Sequence, residues 1–484
     1  MAMSVLPMTP AAVAPPTDEV APASSSPSDL RADAGTAVEQ LARVSLAAQA
    51  HPQSLQRAAW HLLDWLGCAA IGSTLPQGQV YARWLALQSP GSCPTLAGRH
   101  SDPAAAAAYH GALGSLLEMD DVHRSSILHP GPVVIPAALA AAPPGASGAD
   151  LLRALVAGYE VMIRVGRALG PSHYRHWHTT ATAGVFGAAA AAASLLKLSA
   201  AQTAQALALA GTRGGGLWQV RHESQGGKSW HMAGAARDGL AAAQLAAVGL
   251  TGPLGVIDGA SGWVAATAPT ADLSLIWQPR DEPWINDVSF KPWPACRHAH
   301  PAIDALMTAL GPQPLAPDEV LSVSVHTYAD ALRFCDRPMP QDEAQARFSI
   351  QHALAAVLLW GPPQLPHYLQ AAVNDVRARR LRARVSVAED AVLQAGYPAS
   401  YGARVVVQAS GGRQWEAALT DTLGDPARPL SAQARQDKAR GLMQAAGWNE
   451  ARVHSALAAC LDLPQAENLQ ALSAVLADQG DRAA

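Results

Sequence analysis

The chain has 484 residues, with 34 Lys and Arg against 38 Asp and Glu for a net charge of −4, and no run of like charges. Neither nucleic acid nor an anionic membrane surface would find a basic patch here. Charged residues make up 15% and hydrophobic ones 49%, many of them alanine, against roughly 25% charged in an average soluble protein, so a large, closely packed helical interior is expected.

At about three times the ~150 residues of a typical domain, and without a long internal linker, the chain reads as two interlocked domains. Residues 1–33 are rich in Ala, Pro and Ser and read as a disordered tail, with no basic stretch ahead of an apolar core to suggest a secretory signal. Over residues 34–277 apolar positions recur at helical spacing, as in Leu55, Ala59, Leu62, Leu63 and Leu66, and an all-helical region is expected. Its helices are predicted over 101–117, 136–142, 148–169, 185–196, 199–210 and 231–248. The stretch 181–196 is mostly Ala and Gly and falls short of the ~20 strongly apolar residues of a membrane span.

After Trp277 the period changes. Residues 320–328, 383–387 and 404–407 alternate at period two, and 404–407 leads through Ser410-Gly411-Gly412 into 414–416 as a hairpin. With helices over 299–310 and 346–359, residues 278–425 read as a smaller α+β domain. From Pro429 the chain is helical again and is expected to pack back on the first helical region, so that residues 426–484 join 34–277. The five cysteines, Cys68, Cys93, Cys296, Cys335 and Cys460, are odd in number and free of CxxC pairs. That argues against a disulfide framework or thiolate zinc site and fits a reducing cytoplasm.

Four polar stretches interrupt this apolar chain. Glu118-Met119-Asp120-Asp121-Val122-His123 runs on to His129-Pro130-Gly131 between two Ala- and Leu-rich helices. His173 to Thr180, with His176 and His178, precedes another Ala-rich helix, whose N-terminus could receive an anion. Gly226-Gly227-Lys228-Ser229-Trp230-His231 lacks the GxxxxGK[ST] spacing and the preceding strand of a nucleotide loop. Lys228 and His231, three apart, could share one face of a helix start and contact a carboxylate. Lys291 to Pro301 holds Lys291, Cys296, Arg297, His298 and His300 in a proline-stiffened segment. The two His-x-His pairs, 176/178 and 298/300, lack a carboxylate companion at a spacing that would make a metal site, and no metal is expected.

Together these stretches resemble the MmgE/PrpD family, which includes 2-methylcitrate dehydratase, cis-aconitate decarboxylase and iminodisuccinate epimerase. The landmarks stand in family order: Asp64-Trp65-Leu66-Gly67-Cys68, Asp120-Asp121 through His129-Pro130, Trp177-His178-Thr179, Lys228 with His231 and Gly234, 249–253, Lys291 through Pro301, and Arg347-Phe348-Ser349. The resemblance implies a large helical domain built from both chain ends, a smaller α+β lid domain, and a homodimer with a pocket between the domains. It also implies a cofactor-independent enzyme acting on a small di- or tricarboxylate. Its pocket residues would be Glu118 to Asp121, His129, His178, Lys228, Lys291 and Cys296. Arg297, His298 and His300 are added on chemical grounds.

The chemistry so implied is proton removal next to a carboxylate. Charge building into that carboxylate would be stabilised by fixed cations such as Lys228 and Lys291. His129 and His178 would act as acid and base, with Asp120 or Asp121 orienting an imidazole. Dehydration is the expected reaction and epimerisation the alternative. Glu118 stands where a decarboxylase of the family would show Asp, Val122 where it would show Thr, Cys296 where it would show His, and Phe334 where it would show Tyr. Decarboxylation is therefore the least expected of the three. A Cys at position 296 is similar to the epimerase-type member, which makes Cys296 a candidate second base if its thiol pKa is lowered.

Overall fold

Small residues set how closely the helices approach. The computed structural model describes residues 35–49, 51–220, 226–312 and 315–478; the expected tail over 1–33 lies outside the described residues. Six long helices, α1 (Pro52–Gly72), α2 (Pro103–Leu113), α3 (Gly131–Ala141), α4 (Gly148–Tyr174), α5 (Gly184–Leu195) and α6 (Gly226–Ala247), pack around one another. Where α4 crosses α5, a Cβ on Gly158 would stand 2.8 Å from the Gly187 carbonyl, and one on Gly187 2.8 Å from the Gly158 carbonyl. Only glycine at both positions allows that crossing, and flanking alanines keep the axes close along the rest of it.

Starts follow side-chain chemistry. Asp102 accepts from the Ala105 N–H, and Ser147 with Asp150 forms a capping box at the head of α4. Helix α3 begins at Gly131, earlier than the predicted 136, because Pro132 suits the first turn and Pro136 is carried inside the helix. Helix α6 likewise begins at Gly226, five residues before the expected start, and so takes Lys228 and His231 into its first turns.

The all-helical reading of 34–277 needs one correction. β1 (Cys93–Thr95) and β2 (Arg99–Ser101) pair antiparallel, with Gly98 at positive φ in the turn and the Thr95 hydroxyl donating to the Arg99 carbonyl at 2.6 Å. Three-residue strands are too short to show a period-two pattern.

A second buried cluster runs from Trp293 to Ala409. Its sheet holds β3 (Val320–Thr327), β4 (Val385–Glu389), β5 (Ala403–Ala409) and β6 (Gln414–Leu419) in the order β4-β3-β5-β6, with β3 and β4 parallel and the other pairs antiparallel. Gly411 and Gly412, both at positive φ, turn β5 into β6. Helices α7 (His300–Leu310), α8 (Ala329–Cys335), α9 (Glu343–Arg347) and α10 (Ile350–Trp360) complete this part, with α7 lying on β5 and β6. The fold is thus mainly helical with one small mixed sheet. Among the described residues no helix is long and apolar enough to cross a membrane.

The last segment returns to the first cluster. α11 (Ala432–Ala445) and α12 (Glu450–Leu461), capped by Ser431 and Asn449, pack on α1 and contribute Ala439, Met443, Val453 and Cys460 to its core. Lys438 reaches inward from α11, its ammonium donating to Asp64 Oδ1 at 2.6 Å and to the Met119 carbonyl at 2.7 Å. Burial raises the Asp64 pKa to about 6 against the opposing pull of Lys438. A Lys438→Met variant leaves that carboxylate and carbonyl without their cation. Breaking a buried pair in this way costs about 3–5 kcal/mol, a loss to be read from urea unfolding. Adding Asp64→Leu is expected to recover a large part of it.

Candidate active site

The stretch between α2 and α3 carries the first site residues. Val122 bridges to Ser289, N–H to carbonyl in both directions at 3.1 and 2.8 Å, which fixes this loop against the 289–300 segment. Glu118 and Ile127 are held at φ 55° and 50°, left-handed backbone that is costly for glutamate and more so for a β-branched residue. Both side chains border the main cavity.

Two adjacent aspartates separate here. Asp120 Oδ2 lies 3.0 Å from His129 Nδ1, and the same nitrogen is 2.8 Å from the Asp121 carbonyl. With acceptors on both sides Nδ1 carries the hydrogen, so a neutral His129 keeps its lone pair on Nε2. The His129 N–H donates to Thr180 Oγ1 at 3.1 Å, tying this residue to the His178 segment. Asp121, by contrast, faces the helical core: it accepts from the Gly131 N–H at 2.8 Å and the Tyr159 hydroxyl at 2.7 Å, and His61 Nδ1 lies 2.8 Å from it. Its carboxylate holds the head of α3 in place and does not border the cavity.

Lys228, from the first turn of α6, forms a close ion pair with Glu118. Lys291, fully buried, lies 3.4 Å from Asp120 Oδ1 and 3.8 Å from Glu118 Oε2. Burial opposes the charge on each acid, yet Lys228 and Lys291 hold Glu118 below the ordinary carboxylate range, and Lys291 with His129 does the same for Asp120. Burial is likewise outweighed at Lys228, whose pKa is raised by Glu118 and Asp120. Four charges therefore alternate in sign. Lys228 borders the cavity, while Lys291 lies beneath and neutralises the two acids.

His178 is buried just ahead of a short helix over Thr179–Thr182, its Nδ1 3.3 Å from His231 Nδ1 and its ring 4.5 Å from that of Trp218. Burial, with His231 and Lys228 nearby, keeps its pKa well below the usual histidine value, so the ring is neutral at pH 7. Its Nε2 is buried without a hydrogen-bond partner among the described residues. An unpaired buried polar atom costs about 1–3 kcal/mol, which calls for a functional reason.

The 291–301 segment divides as well. Cys296 and His298 border the cavity. A hydrogen bond from the Cys335 thiol, against the effect of burial, lowers the Cys296 pKa, and Cys335 is raised well above the usual thiol value. His298 Nδ1 meets the Tyr328 hydroxyl at 2.9 Å, and its ring stacks on Phe334 and Tyr401. Arg297 pairs with Asp425, and His300 bonds the Ala295 carbonyl through Nε2 at 3.1 Å with Arg297 beside Nδ1. His300 holds the loop, and neither it nor His231, which lies against His178, borders the cavity. The His-x-His pairs do not converge: His176 is exposed, and among the described residues no group of three His, Cys, Asp or Glu is arranged to hold a metal ion.

The cavity encloses about 480 Å³ and brings together Glu118, His129, His178, Lys228, Cys296 and His298. Several of its residues had no role in the sequence reading. Thr180, Trp218, Arg333 and Arg337 all border the cavity without having been singled out as candidates.

Comparison with known proteins accords with this arrangement. The profile of the MmgE/PrpD N-terminal domain matches residues 39–276 and that of the MmgE/PrpD C-terminal domain matches residues 293–463. The cis-aconitate decarboxylase-like protein oryM of Aspergillus oryzae (strain ATCC 42149 / RIB 40) is 37% identical over 216 residues, covering 42% of this chain and 45% of that protein. Cis-aconitate decarboxylase of Homo sapiens is 28% identical over 350 residues, 69% of this chain and 72% of that one. Cis-aconitate decarboxylase of Aspergillus terreus is 31% identical over 214 residues, 42% and 44% of the two chains. The matched span thus reaches less than half the length of each fungal relative. Since the two family profiles together cover most of the sequence, the chain belongs to the MmgE/PrpD family.

Proposed function

We propose that this protein is a cofactor-independent lyase that dehydrates a polycarboxylate by moving a proton next to one of its carboxylates. The observation that carries this reading is His178: a neutral imidazole whose buried Nε2 has no partner among the described residues, bordering the cavity in the field of Lys228. A neutral histidine accepts a proton at pH 7, and a nearby ammonium lowers the energy of the enolate that results. His129, its Nδ1–H held by the Asp121 carbonyl with Asp120 Oδ2 3.0 Å away, offers a second lone pair at Nε2.

In the proposed step one histidine takes the α-proton, its electron pair forms the new C=C bond, and the β-hydroxyl leaves as water with a proton from a second group. Lys228 meets the substrate carboxylate and Lys291 balances Glu118 and Asp120 from below. Positions 129, 178, 228 and 296 are assigned here to catalysis, 118, 298 and 297 to the binding pocket, and Asp120, acting through His129, to positioning. Asp121, His231, Lys291 and His300 are assigned to positioning. A cytoplasmic homodimer belongs to the same reading; the free state of all five cysteines accords with the compartment, and sedimentation tests the pairing.

A second reading is decarboxylation, favoured by the relatives that are named cis-aconitate decarboxylases. There the C–C bond to a carboxylate breaks, CO₂ leaves, and a protonated histidine delivers H⁺ to the carbanion. One ¹H-NMR experiment in D₂O with citrate-, aconitate-, tartrate- and aspartate-like acids separates the outcomes. New vinyl protons from a hydroxy acid support dehydration, and loss of a carboxylate with deuterium gained at the same carbon supports decarboxylation. Deuterium exchange without a new double bond would point to epimerisation, and no exchange with any acid would overturn the lyase.

A further inference from the structure

Part of the cavity wall is aromatic. Trp218 lies 6.0 Å from Phe334, and Tyr174 is 5.6 Å from Trp218 and 5.9 Å from Phe334, each measured between ring centroids. This cluster joins the two histidines that flank it: Trp218 is 4.5 Å from His178, and Phe334 is stacked 5.0 Å from His298. Val122 and Ile127 extend the apolar surface from the loop that carries Glu118. The histidines thus stand between an aromatic patch of the cavity wall and the charged groups of Glu118 and Lys228.

Volume leads the same way. At the ~30 Å³ that a liquid water molecule occupies, the cavity of about 480 Å³ is roomy for a four-carbon dicarboxylate, and cavities of ~300–1,000 Å³ commonly hold drug-sized ligands. Of the arginines at the rim, Arg337 borders the cavity as a cation, whereas Arg333 and Arg347 are already paired. Arg333 pairs with Asp330 at 3.0 Å and Arg347 with Glu343 at 3.7 Å, so each has an acid of its own helix beside it.

We infer that the substrate is a di- or tricarboxylate bearing an apolar substituent of about four to six carbons, seated on the Trp218–Phe334–Tyr174 wall while its carboxylates face Lys228 and the histidines. The inference rests on the carboxylate reading above and names the class of acid that the cavity takes.

The test is calorimetric titration of the full chain with succinate and a series of 2-alkylsuccinates, saturated acids that do not turn over. Each methylene is expected to tighten binding about three- to fourfold through butyl, giving at least fiftyfold from succinate to butylsuccinate. Trp218→Ala should flatten the series and Phe334→Leu should keep it. Affinity that stays level or falls with chain length would overturn the inference. So would tighter binding of an equal-length chain ending in a carboxylate, or no binding of any member. Turnover in D₂O is a separate readout: a rising series without turnover defeats the lyase alone, and turnover of unsubstituted acids with a level series defeats the substituent alone.

Discussion

A His129→Gln variant is expected to lose about two to four orders of magnitude in the rate of α-proton exchange, with KM changed only a few-fold. Glutamine can still donate to the Asp121 carbonyl, which lies 2.8 Å from Nδ1 in the native protein, so the loop conformation has no reason to collapse. What disappears is a lone pair that can accept and return a proton, and such a group contributes typically 10²–10⁴-fold. The variant keeps Lys228, Glu118 and His178 in place, so carboxylate binding survives. His176→Gln, an exposed change in the neighbouring polar stretch, should leave the rate unaltered. The check is deuterium incorporation by NMR for both variants beside the native protein. Equal rates in the His129 variant and the native protein would remove His129 from the reaction.

Acidification is expected to unfold the protein at unusually mild pH. Burial lowers His61 and His298 to a pKa of about 4 and His110 to about 3. Their unfolded value lies near 6.5. Between these limits the unfolded chain binds protons that the folded one refuses, so the stability is fully present above pH 6.5 and is lost as pH falls toward the folded values. At pH 5 each of the three costs about 2 kcal/mol, at 1.36 kcal/mol per pKa unit. Asp64, raised to about 6, works in the opposite sense and returns about 1–2 kcal/mol at pH 5. Glu118 and Asp120, with pKa values lowered, withdraw their support only below the ordinary carboxylate range. From these four groups alone the loss of about 4–5 kcal/mol is a large part of a typical 5–15 kcal/mol stability, and His173 and His352, also lowered by burial to about 4, add to it. Differential scanning calorimetry should show the melting temperature falling by several degrees from pH 7 to pH 5. An unchanged midpoint would mean that these histidines are already accessible to protons in the native state.

Residue patterns disclosed most of the long helices, the four strands of the mixed sheet and several residues that border the cavity, each for a physical reason. Helical spacing and strand alternation are local, and Glu118, His129, His178 and Lys228 stand in polar stretches that an alanine-rich chain has little cause to carry unless they line a site. What stayed hidden depends on contacts distant in sequence. Asp120 and Asp121 are indistinguishable as neighbours, and only Tyr159 and the Gly131 N–H turn one of them toward the core. Lys438 sits in a helix rich in Gln, Arg and Asp and looks like part of a solvated face, yet its ammonium is buried against Asp64. The aromatic wall was invisible for the same reason: Tyr174, Trp218 and Phe334 are single aromatics that become one surface only when the chain folds.

The reach of Lys438 to Asp64 and the Met119 carbonyl also governs the order in which the protein can be finished during synthesis. When the ribosome has made α1 and the Glu118 loop, Asp64 has no counter-ion and must stay hydrated or protonated. From there some 320 further residues must emerge before α11 can supply one. The helical core is thus left ajar through most of translation, as expected where contacts join the two ends of a chain. A ribosome stalled before codon 438 should therefore hold a nascent chain that is readily cut by protease in α1, whereas the released full-length protein resists the same treatment.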